Sequence, residues 1–230
     1  MGAVNRLAAG SARLVEGLTW SRALAVVFAV SLVWTVSLFA APYTIPPNSL
    51  TLSSEGRANG LDNAAAYGAL NAYAQSIYYL SDIQCHQLPY RSLFLNGNQM
   101  PMDARMTSIY AFLNLGLISA ALAAPAATLS QGVVNALPGR ARRWIREHWR
   151  VDFAAFTLIL LALLPVAVDG FTQLFGWRES TNGLRVLTGA FTGWGTGLLL
   201  GAMITSLKQF EVEYRALRRA RAAAPPDQRF

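Results

Sequence analysis

Four stretches of the chain are long and apolar enough to cross a membrane, and polar segments separate them. They comprise residues 23–41, 107–127, 153–175 and 186–207. A spanning helix needs about 20 predominantly apolar residues, because each residue adds roughly 1.5 Å across a hydrocarbon core of about 30 Å. The pattern therefore predicts an all-α, polytopic integral membrane protein with about four transmembrane helices.

The first apolar stretch could be mistaken for a signal peptide, but its surroundings favour an anchor that stays in the protein. A long segment precedes it, and Pro42 directly follows the small residues Ala40 and Ala41. Proline is unfavourable just after a cleavage site, so we expect this stretch to be an uncleaved first span.

The longest polar region, residues 42–106, lies between the first two spans. Its first part is rich in Pro, Ser and Gly and predicts a loop. Residues 61–83 carry helix formers, with Asp62 or Asn63 as a possible N-cap. Tyrosines occur there at helical spacing, namely Tyr67, Tyr78 and Tyr79. They suit either an amphipathic helix at the membrane interface or a helix packed on the bundle.

Composition and charge agree with a membrane protein. Hydrophobic residues make up 53% of the chain and charged residues 13%, whereas soluble domains carry about a quarter charged residues. The net charge of +7 is better explained by arginines that flank membrane spans than by nucleic-acid binding. The single cysteine, Cys85, excludes an intrachain disulfide and any Cys-x-x-Cys metal framework.

The distribution of positive charge predicts the orientation. With four spans, fourteen of the nineteen Arg and Lys residues fall on one side, which includes residues 1–22 and the tail 208–230. The positive-inside rule places both of these segments in the cytoplasm of a cell whose inner (plasma) membrane holds the protein. The loop with Cys85 and His86 would then lie outside. The basic tail should be helical and end in a disordered tip.

The fourth span carries glycines at four-residue intervals. Such a stripe lets two helix backbones approach closely in lipid, where apolar burial supplies no driving force between helices. It predicts a helix-packing surface, against another helix of this chain or of another subunit. The stripe consists of Gly189, Gly193, Gly197 and Gly201.

The third span contains Asp169, a carboxylate within an apolar helix. Pro165 and Gln173 lie on the same helix face, at four-residue steps. An intramembrane carboxylate is costly and is usually paired or functional. We expect Arg185 to be its partner, with Arg105 as the second choice, in a structural ion pair or in a proton or ligand site.

The pair Cys85–His86 suggests a metal or redox site. Asp82 and Asp103 could complete a zinc shell, but the spacing matches no strong zinc motif. His148 falls on the other side of the membrane in the predicted topology, which disfavours a haem held by two histidines. A nucleophilic Cys-His dyad is disfavoured because adjacent residues of an extended chain point apart. The alternative is a polar loop folded over the outer end of the bundle.

Two blocks of sequence resemble a known family. "CHQLPYRS" (85–92), "NGNQMP" (96–101) and "DARMTSIY" (103–110) resemble C-H-Q-x-P-x-R-S followed by G-x-Q-x-P-x-C-A-R-C-T-G-I-Y. The segment 164–197 resembles D-G-x-x-Q-x-x-G-x-R-x-S-x-N-x-x-R-x-x-T-G. Both blocks are similar to an uncharacterised family of small bacterial and archaeal membrane proteins, known as a domain of unknown function.

The resemblance implies a membrane fold and no assigned activity. Two family cysteines fall on Asp103 and Met106 here, and a family glycine falls on Ser108. If the three cysteines and the histidine of the family pattern bind a metal, this chain has lost two of the ligands. Asp103 could replace one of them, whereas Met106 is a poor zinc ligand.

Four classes of function follow from these observations, and a membrane enzyme is the last of them. The first is a non-enzymatic scaffold or accessory subunit of a larger membrane complex, such as an energy-transducing respiratory or photosynthetic one. The second is a small-ligand site under the outer cap, for a quinone, a lipid or a metal, and the third is a small transporter. The sequence requires no cofactor, and it predicts membrane lipids and either other membrane subunits or a homo-oligomer as partners.

The residues that could form this ligand site, or a structural polar cluster, come from both blocks. They are Cys85, His86, Gln87, Arg91, Asp103, Arg105, Asp169, Gln173, Arg178, Asn182 and Arg185. Cys85, His86 and Asp103 are the metal candidates among them.

Overall fold

The computed structural model describes residues 3–53 and 60–223 of the chain. Arg57 and Arg229, which enter the charge count above, lie outside the described residues, as does the predicted disordered tip. The helices are α1 (Ala3–Trp20), α2 (Arg22–Ala40), α3 (Ala64–Tyr67), α4 (Ala72–Asp82), α5 (Ala104–Leu122), α6 (Leu129–Asn135), α7 (Gly139–His148), α8 (Val151–Leu174) and α9 (Asn182–Ala223). The strands are β1 (Ser92–Leu95) and β2 (Asn98–Asp103).

Four of these helices are long and apolar enough to cross a membrane, as predicted. They are α2, α5, α8 and α9. The last of them continues for 42 residues without a break, so the basic tail extends the fourth span as one helix. The chain is therefore a mostly helical, polytopic membrane protein.

The chain divides into two compact units. The first comprises Met1–Phe28, Leu115–Leu160 and Thr196–Phe230, and the second comprises Ala29–Asn114 and Leu161–Gly195. Each of the four long helices contributes a segment to both units.

In the first unit, small residues bring α9 close to its neighbours. A Cβ atom added at Gly201 would lie 2.5 Å from the Cβ of Ala120 in α5. A Cβ added at Gly132 in α6 would lie 3.3 Å from both the Ala202 Cβ and the Ser206 Oγ of α9. Backbone approach of this kind is typical of helix contacts in lipid.

In the second unit, the segment between α2 and α5 folds into a polar cap, which we define as residues 42–53 and 60–103. The region predicted as one helix over residues 61–83 forms two helices, α3 and α4, with a turn between them. Asn71 caps α4, and its Oδ1 accepts a hydrogen bond from the Ala74 N–H at 3.0 Å. Tyr67 and Tyr78 are fully buried in the cap core. For these two residues the prediction of a packed helix is confirmed, and that of tyrosines exposed at the membrane interface is wrong.

A β-hairpin within the polar cap was not predicted. Its strands β1 and β2 pair antiparallel, with Ser92 opposite Asp103 and Leu95 opposite Asn98. The connecting residues Asn96 (φ 53°) and Gly97 (φ 72°) both have left-handed backbone conformations. Asn-Gly is the preferred pair for a turn that needs positive φ at both central positions, so the signal was present in the sequence.

Glycines of α9 also face α5 within the second unit. A Cβ added at Gly189 would lie 2.6 Å from the Arg105 carbonyl oxygen. A Cβ added at Gly193 would lie 2.9 Å from the Cα of Ile109. Because the obstructing atoms belong to backbone, a side chain at either position forces the helices apart.

We expect Gly193→Ala to destabilise the protein by about 1–3 kcal/mol and Gly193→Leu to do so more severely. The matched control is Gly183→Ala, also in α9, where an added Cβ meets nothing within 4 Å. Thermal unfolding in mild detergent measures both variants. Equal unfolding temperatures for Gly193→Ala and the control would contradict the close approach.

Candidate functional site

Gln87, from the first family-like block, is the centre of the polar cap. It is fully buried and has a left-handed backbone conformation with φ 50°, which is uncommon for a non-glycine residue. Its Nε2 donates to the carbonyl oxygens of Pro101 at 2.8 Å and Tyr78 at 3.2 Å. Its Oε1 accepts a hydrogen bond from the Tyr67 hydroxyl. The side chain thus joins α3, α4 and β2.

Two further amides, Asn98 and Gln99, hold the loop after α2 against the hairpin. Asn98 Oδ1 accepts from the backbone N–H groups of Ser49 at 2.8 Å and Leu50 at 3.0 Å. Gln99 Oε1 accepts from the Leu52 N–H at 2.9 Å, and its Nε2 donates to the Gln87 carbonyl oxygen at 2.6 Å. Both amides are fully buried, and their role was not predicted although they lie in the "NGNQMP" segment.

Cys85 and His86 do not form a joint site. Cys85 is buried and its Sγ accepts a hydrogen bond from the Asp103 N–H at 3.4 Å, whereas His86 is exposed. Burial raises the pKa of the Cys85 thiol to about 12, so the reactive thiolate is scarce at neutral pH. Among the described residues, no group of three or more His, Cys, Asp and Glu side chains is placed to hold a metal.

Asp103 has a structural role at the end of the hairpin. Its Oδ1 accepts from the Met106 N–H at 2.7 Å, the contact that an N-cap makes at the start of α5. The resemblance implies cysteines at Asp103 and Met106. In this chain Asp103 caps α5, and Met106 donates the N–H group that the cap accepts.

The second polar cluster surrounds Asp169 of α8, which is 3% exposed. Its carboxylate binds the guanidinium groups of Arg105 and, at 3.4 Å, Arg178. It also accepts from the Ser180 Oγ at 3.0 Å and the Gln173 Nε2 at 3.2 Å. The second-choice partner, Arg105, therefore occupies the place that we expected for Arg185.

Arg185 lies in the same cluster but binds a different carboxylate, that of Glu179. Its NH2 is 2.6 Å from Glu179 Oε1 and 3.2 Å from Gln173 Oε1, and its NH1 is 3.1 Å from Asn182 Oδ1. Arg91 reaches the same Glu179 oxygen at 3.0 Å. The expectation that Arg185 pairs with Asp169 is therefore wrong. Sequence reasoning missed Glu179, which lies between two residues of the second block.

We call this group the arginine cluster: Arg91, Arg105, Arg178 and Arg185 with Asp169 and Glu179. Four guanidinium groups share two carboxylates, so two positive charges lack a counter-charge within the cluster. The Nε atoms of Arg91 and Arg105 are buried and have no acceptor among the residues that the structure describes. The arrangement leaves positive charge for a further anionic group, and the exposed guanidinium of Arg178 is the donor that such a group reaches most easily.

The arginine cluster joins the two family-like blocks. Arg91 and Arg105 come from the first block and the other members from the second. Asn182 of the second block also donates to the Ser92 carbonyl oxygen of the first, at 3.1 Å. The structure brings together seven of the predicted site residues: Arg91, Arg105, Asp169, Gln173, Arg178, Asn182 and Arg185. The other four, Cys85, His86, Gln87 and Asp103, lie in the polar cap, which also contains Arg91 of the cluster.

Exposed aromatic rings lie next to the arginine cluster at the end of α8. Trp177 is 76% exposed and directly precedes Arg178, which is 59% exposed in its side chain. The Phe175 ring centroid lies 5.3 Å from that of Trp177 and 6.3 Å from that of Phe171. Aromatic rings and arginines at the end of a spanning helix are typical of the lipid headgroup level.

A double-mutant cycle tests the partners of Asp169. We expect Asp169→Leu to destabilise the protein by about 3–5 kcal/mol, because it leaves the partly buried Arg105 guanidinium without its counter-charge. Asp169→Leu combined with Arg105→Leu should recover much of that loss, and the combination with Arg185→Leu should recover little. Thermal unfolding in detergent gives the coupling energies. Stronger coupling to Arg185 than to Arg105 would contradict the pairing.

Asp82 in the polar cap provides a test by pH. It is fully buried, burial raises its pKa, and its Oδ1 has no partner among the described residues. A folded-state pKa above the unfolded one means that the protonated carboxyl stabilises the fold. That stabilisation is present below the unfolded-state pKa and is lost as the pH rises through the folded-state pKa.

We therefore expect Asp82→Asn to be more stable than the wild type near neutral pH. The amide is neutral at every pH, whereas the buried carboxyl has to bind a proton or carry a buried charge. The amide oxygen can still accept the hydrogen bond from the Asn63 N–H. The advantage should shrink as the pH falls from about 8 to about 4. Unfolding temperatures of both proteins across this range measure it. A constant difference across the range would show that Asp82 does not titrate there.

The comparisons with known proteins agree with this membrane architecture. The model of a family described as "Predicted membrane protein (DUF2085)" matches residues 85–199, which contain both family-like blocks. An uncharacterized protein of Methanocaldococcus jannaschii is 32% identical over 117 residues, which are 51% of this chain and 61% of that protein. The chain thus spans less than two thirds of this relative's length.

A second relative is covered more completely. An uncharacterized protein of Methanothermobacter thermautotrophicus is 34% identical over 117 residues, which are 50% of this chain and 82% of that protein. No solved structure matches the chain.

Proposed function

We propose that this chain, which belongs to the DUF2085 family of predicted membrane proteins, binds the anionic headgroup of a membrane lipid at its arginine cluster. The observation that carries this proposal is the charge of the cluster, where four arginines share two carboxylates. A phosphodiester accepts hydrogen bonds from guanidinium groups in bidentate geometry and supplies negative charge. The proposal selects the lipid from the three ligand classes that the sequence left open.

The surroundings of the cluster support a lipid over the other two classes. An excess of positive charge repels a metal cation, and a neutral quinone headgroup compensates no charge. The exposed rings of Phe171, Phe175 and Trp177 suit the glycerol and upper acyl region of a phospholipid. Arg178 is the residue best placed for the headgroup, because its side chain is 59% exposed and its contact with Asp169 is long.

The test compares Arg178→Gln with the wild type and with Arg143→Gln, a control in which an exposed arginine of α7 loses the same charge. We expect Arg178→Gln to weaken binding of phosphatidylglycerol about fivefold, because one interfacial arginine contributes ~1 kcal/mol. The fold should be preserved, since an ion pair this exposed contributes little to stability. Native mass spectrometry of detergent-purified protein, titrated with phosphatidylglycerol or phosphatidylcholine, measures the affinities.

Titration with inorganic phosphate separates the two sources of a phosphate group. Equal competition by free phosphate would assign the cluster to a soluble anion. Unchanged phosphatidylglycerol affinity in Arg178→Gln, or an equal loss in Arg143→Gln, would contradict the lipid site.

The second candidate function is a non-enzymatic accessory subunit or scaffold of a membrane complex, for which the length of α9 is the supporting observation. Its 42 residues extend about 63 Å at 1.5 Å per residue, roughly twice the thickness of the hydrocarbon core. A helix that continues so far beyond its span offers a surface to another protein. Under this candidate, the family-like blocks serve to fix the arrangement of the spans.

The orientation is part of this proposal. The distribution of arginines favours the arginine cluster and the polar cap outside the plasma membrane and α7 inside. Native Cys85 is a poor reporter of sidedness because it is buried with a raised thiol pKa. Tyr90 is 56% exposed in the polar cap and Trp144 is 52% exposed in α7, so cysteines introduced there are accessible.

We expect a membrane-impermeant maleimide to label Tyr90→Cys in intact cells and to label Trp144→Cys only after lysis. The wild type, whose one cysteine is buried, is the background control. The reverse labelling pattern would show that the charge distribution does not determine the orientation of this protein.

A further inference from the structure

The exposed face of α9 carries an apolar stripe that continues past the predicted end of the fourth span. Its members are separated alternately by four and three residues: Met203, Leu207, Phe210, Tyr214 and Leu217. At 100° per residue they lie within about 80° of one another around the helix. Their exposed fractions range from 45% for Met203 to 64% for Leu217.

The stripe is not the face that α9 uses within its own protomer. Gly201, Ala202 and Thr205 are buried, and the first two face α5 and α6 in the first unit. Beyond Leu207, by contrast, the helix is largely exposed around its circumference. The apolar stripe therefore remains uncovered in the single chain.

The bilayer core does not cover the whole stripe. About 20 residues cross the hydrocarbon region, and Arg185 lies at the beginning of α9, so the crossing ends near Lys208. Beyond that point most other positions of α9 are polar, with ion pairs of Glu211 to Lys208, at 3.0 Å, and to Arg215. Leu217 lies nine residues further along, about 13 Å beyond Lys208. A continuous row of exposed apolar side chains that far along the helix is typical of a surface that contacts another protein.

We propose that the stripe is the seam of a parallel coiled coil with α9 of a second copy of this chain. Alternating steps of four and three residues match the d and a positions of a heptad repeat, with Met203, Phe210 and Leu217 at d and Leu207 and Tyr214 at a. Two copies in one membrane share the same orientation, so their α9 helices run parallel. This inference names a partner for the accessory-subunit candidate and does not depend on the lipid site.

The charges beside the stripe fit a parallel pairing of identical helices. Glu213 takes a g position and Arg218 an e position, and in a parallel coiled coil a g residue faces the e residue five positions later in the partner. Glu213 therefore faces Arg218 of the partner subunit, and symmetry produces the pair twice. A second copy thus covers the apolar stripe and matches its charged edges.

Cysteine cross-linking in native membranes tests the seam. We expect Leu217→Cys to form a disulfide-linked dimer when copper phenanthroline is added as the oxidant. The matched control is Val212→Cys, which is 40% exposed but lies on another face of the helix, and it should cross-link weakly. The wild type, with only buried Cys85, should not cross-link.

A charge exchange tests the partner and the register. Glu213→Arg alone places like charges opposite each other and should weaken dimerisation in detergent about fivefold or more. Glu213→Arg combined with Arg218→Glu restores opposite charges and should restore the dimer. Sedimentation or mass photometry measures the dissociation constant, and phosphatidylglycerol binding is measured on the same samples.

Three results would overturn the proposal. Equal cross-linking of Leu217→Cys and Val212→Cys would show that the stripe is not the seam. Cross-links of Leu217→Cys exclusively to a different protein would assign the stripe to a hetero-complex. Failure of the charge exchange to restore the dimer would exclude parallel pairing in this register. Phosphatidylglycerol binding should not change in any of these variants, so a failure of the lipid site is separately visible.

Discussion

Side-chain amides buried in the polar cap hold the loop after α2 and the hairpin together, and the candidate site depends on them. A buried loop has to pair its backbone N–H and C=O groups, because leaving one unpaired costs about twice the net gain from a hydrogen bond. Asn98 and Gln99 provide these partners, and Gln87 connects the same strand to the two short helices. The hairpin is fixed as a result. Arg91 directly precedes its first strand, and Arg105 follows its second strand by two residues.

The hairpin register explains how Arg91 and Arg105, which are distant in sequence, both reach the arginine cluster. Ser92 pairs with Asp103 across the strands, so the two arginines that flank these residues enter the same region. Arg91 then binds Glu179, which Arg185 also binds. Arg105 binds Asp169, which Arg178 also binds. A carboxylate shared by two guanidinium groups neutralises one charge only. The folding of the first block therefore creates the positive excess that a phosphate group would compensate.

The sequence was sufficient for the features that depend on long-range periodicity and insufficient for those that depend on tertiary contacts. Four apolar windows of spanning length predicted the helical membrane architecture, because the bilayer imposes the length directly. Asn96–Gly97 was a local signal for the hairpin turn. The polar residues around it equally indicated an irregular loop, so the hairpin was not predicted. The partner of Asp169 was predicted incorrectly because distance along a helix does not define side-chain direction, and Glu179, which binds Arg185 instead, was overlooked.

In the second unit, the contacts of α5 show how a helix in lipid is matched to particular neighbouring helices when apolar burial cannot distinguish between them. In lipid, a leucine gains little by exchanging a hydrocarbon neighbour for a helix, so specificity comes from close backbone approach and polar pairs. Asn114 of α5 donates to the Thr35 Oγ1 of α2 at 2.9 Å, Arg105 binds Asp169 of α8, and Gly193 of α9 leaves room for the α5 backbone. Each neighbour is thus recognised by a different kind of contact. An exchange of two neighbours would leave a polar group unpaired or force a side chain into backbone.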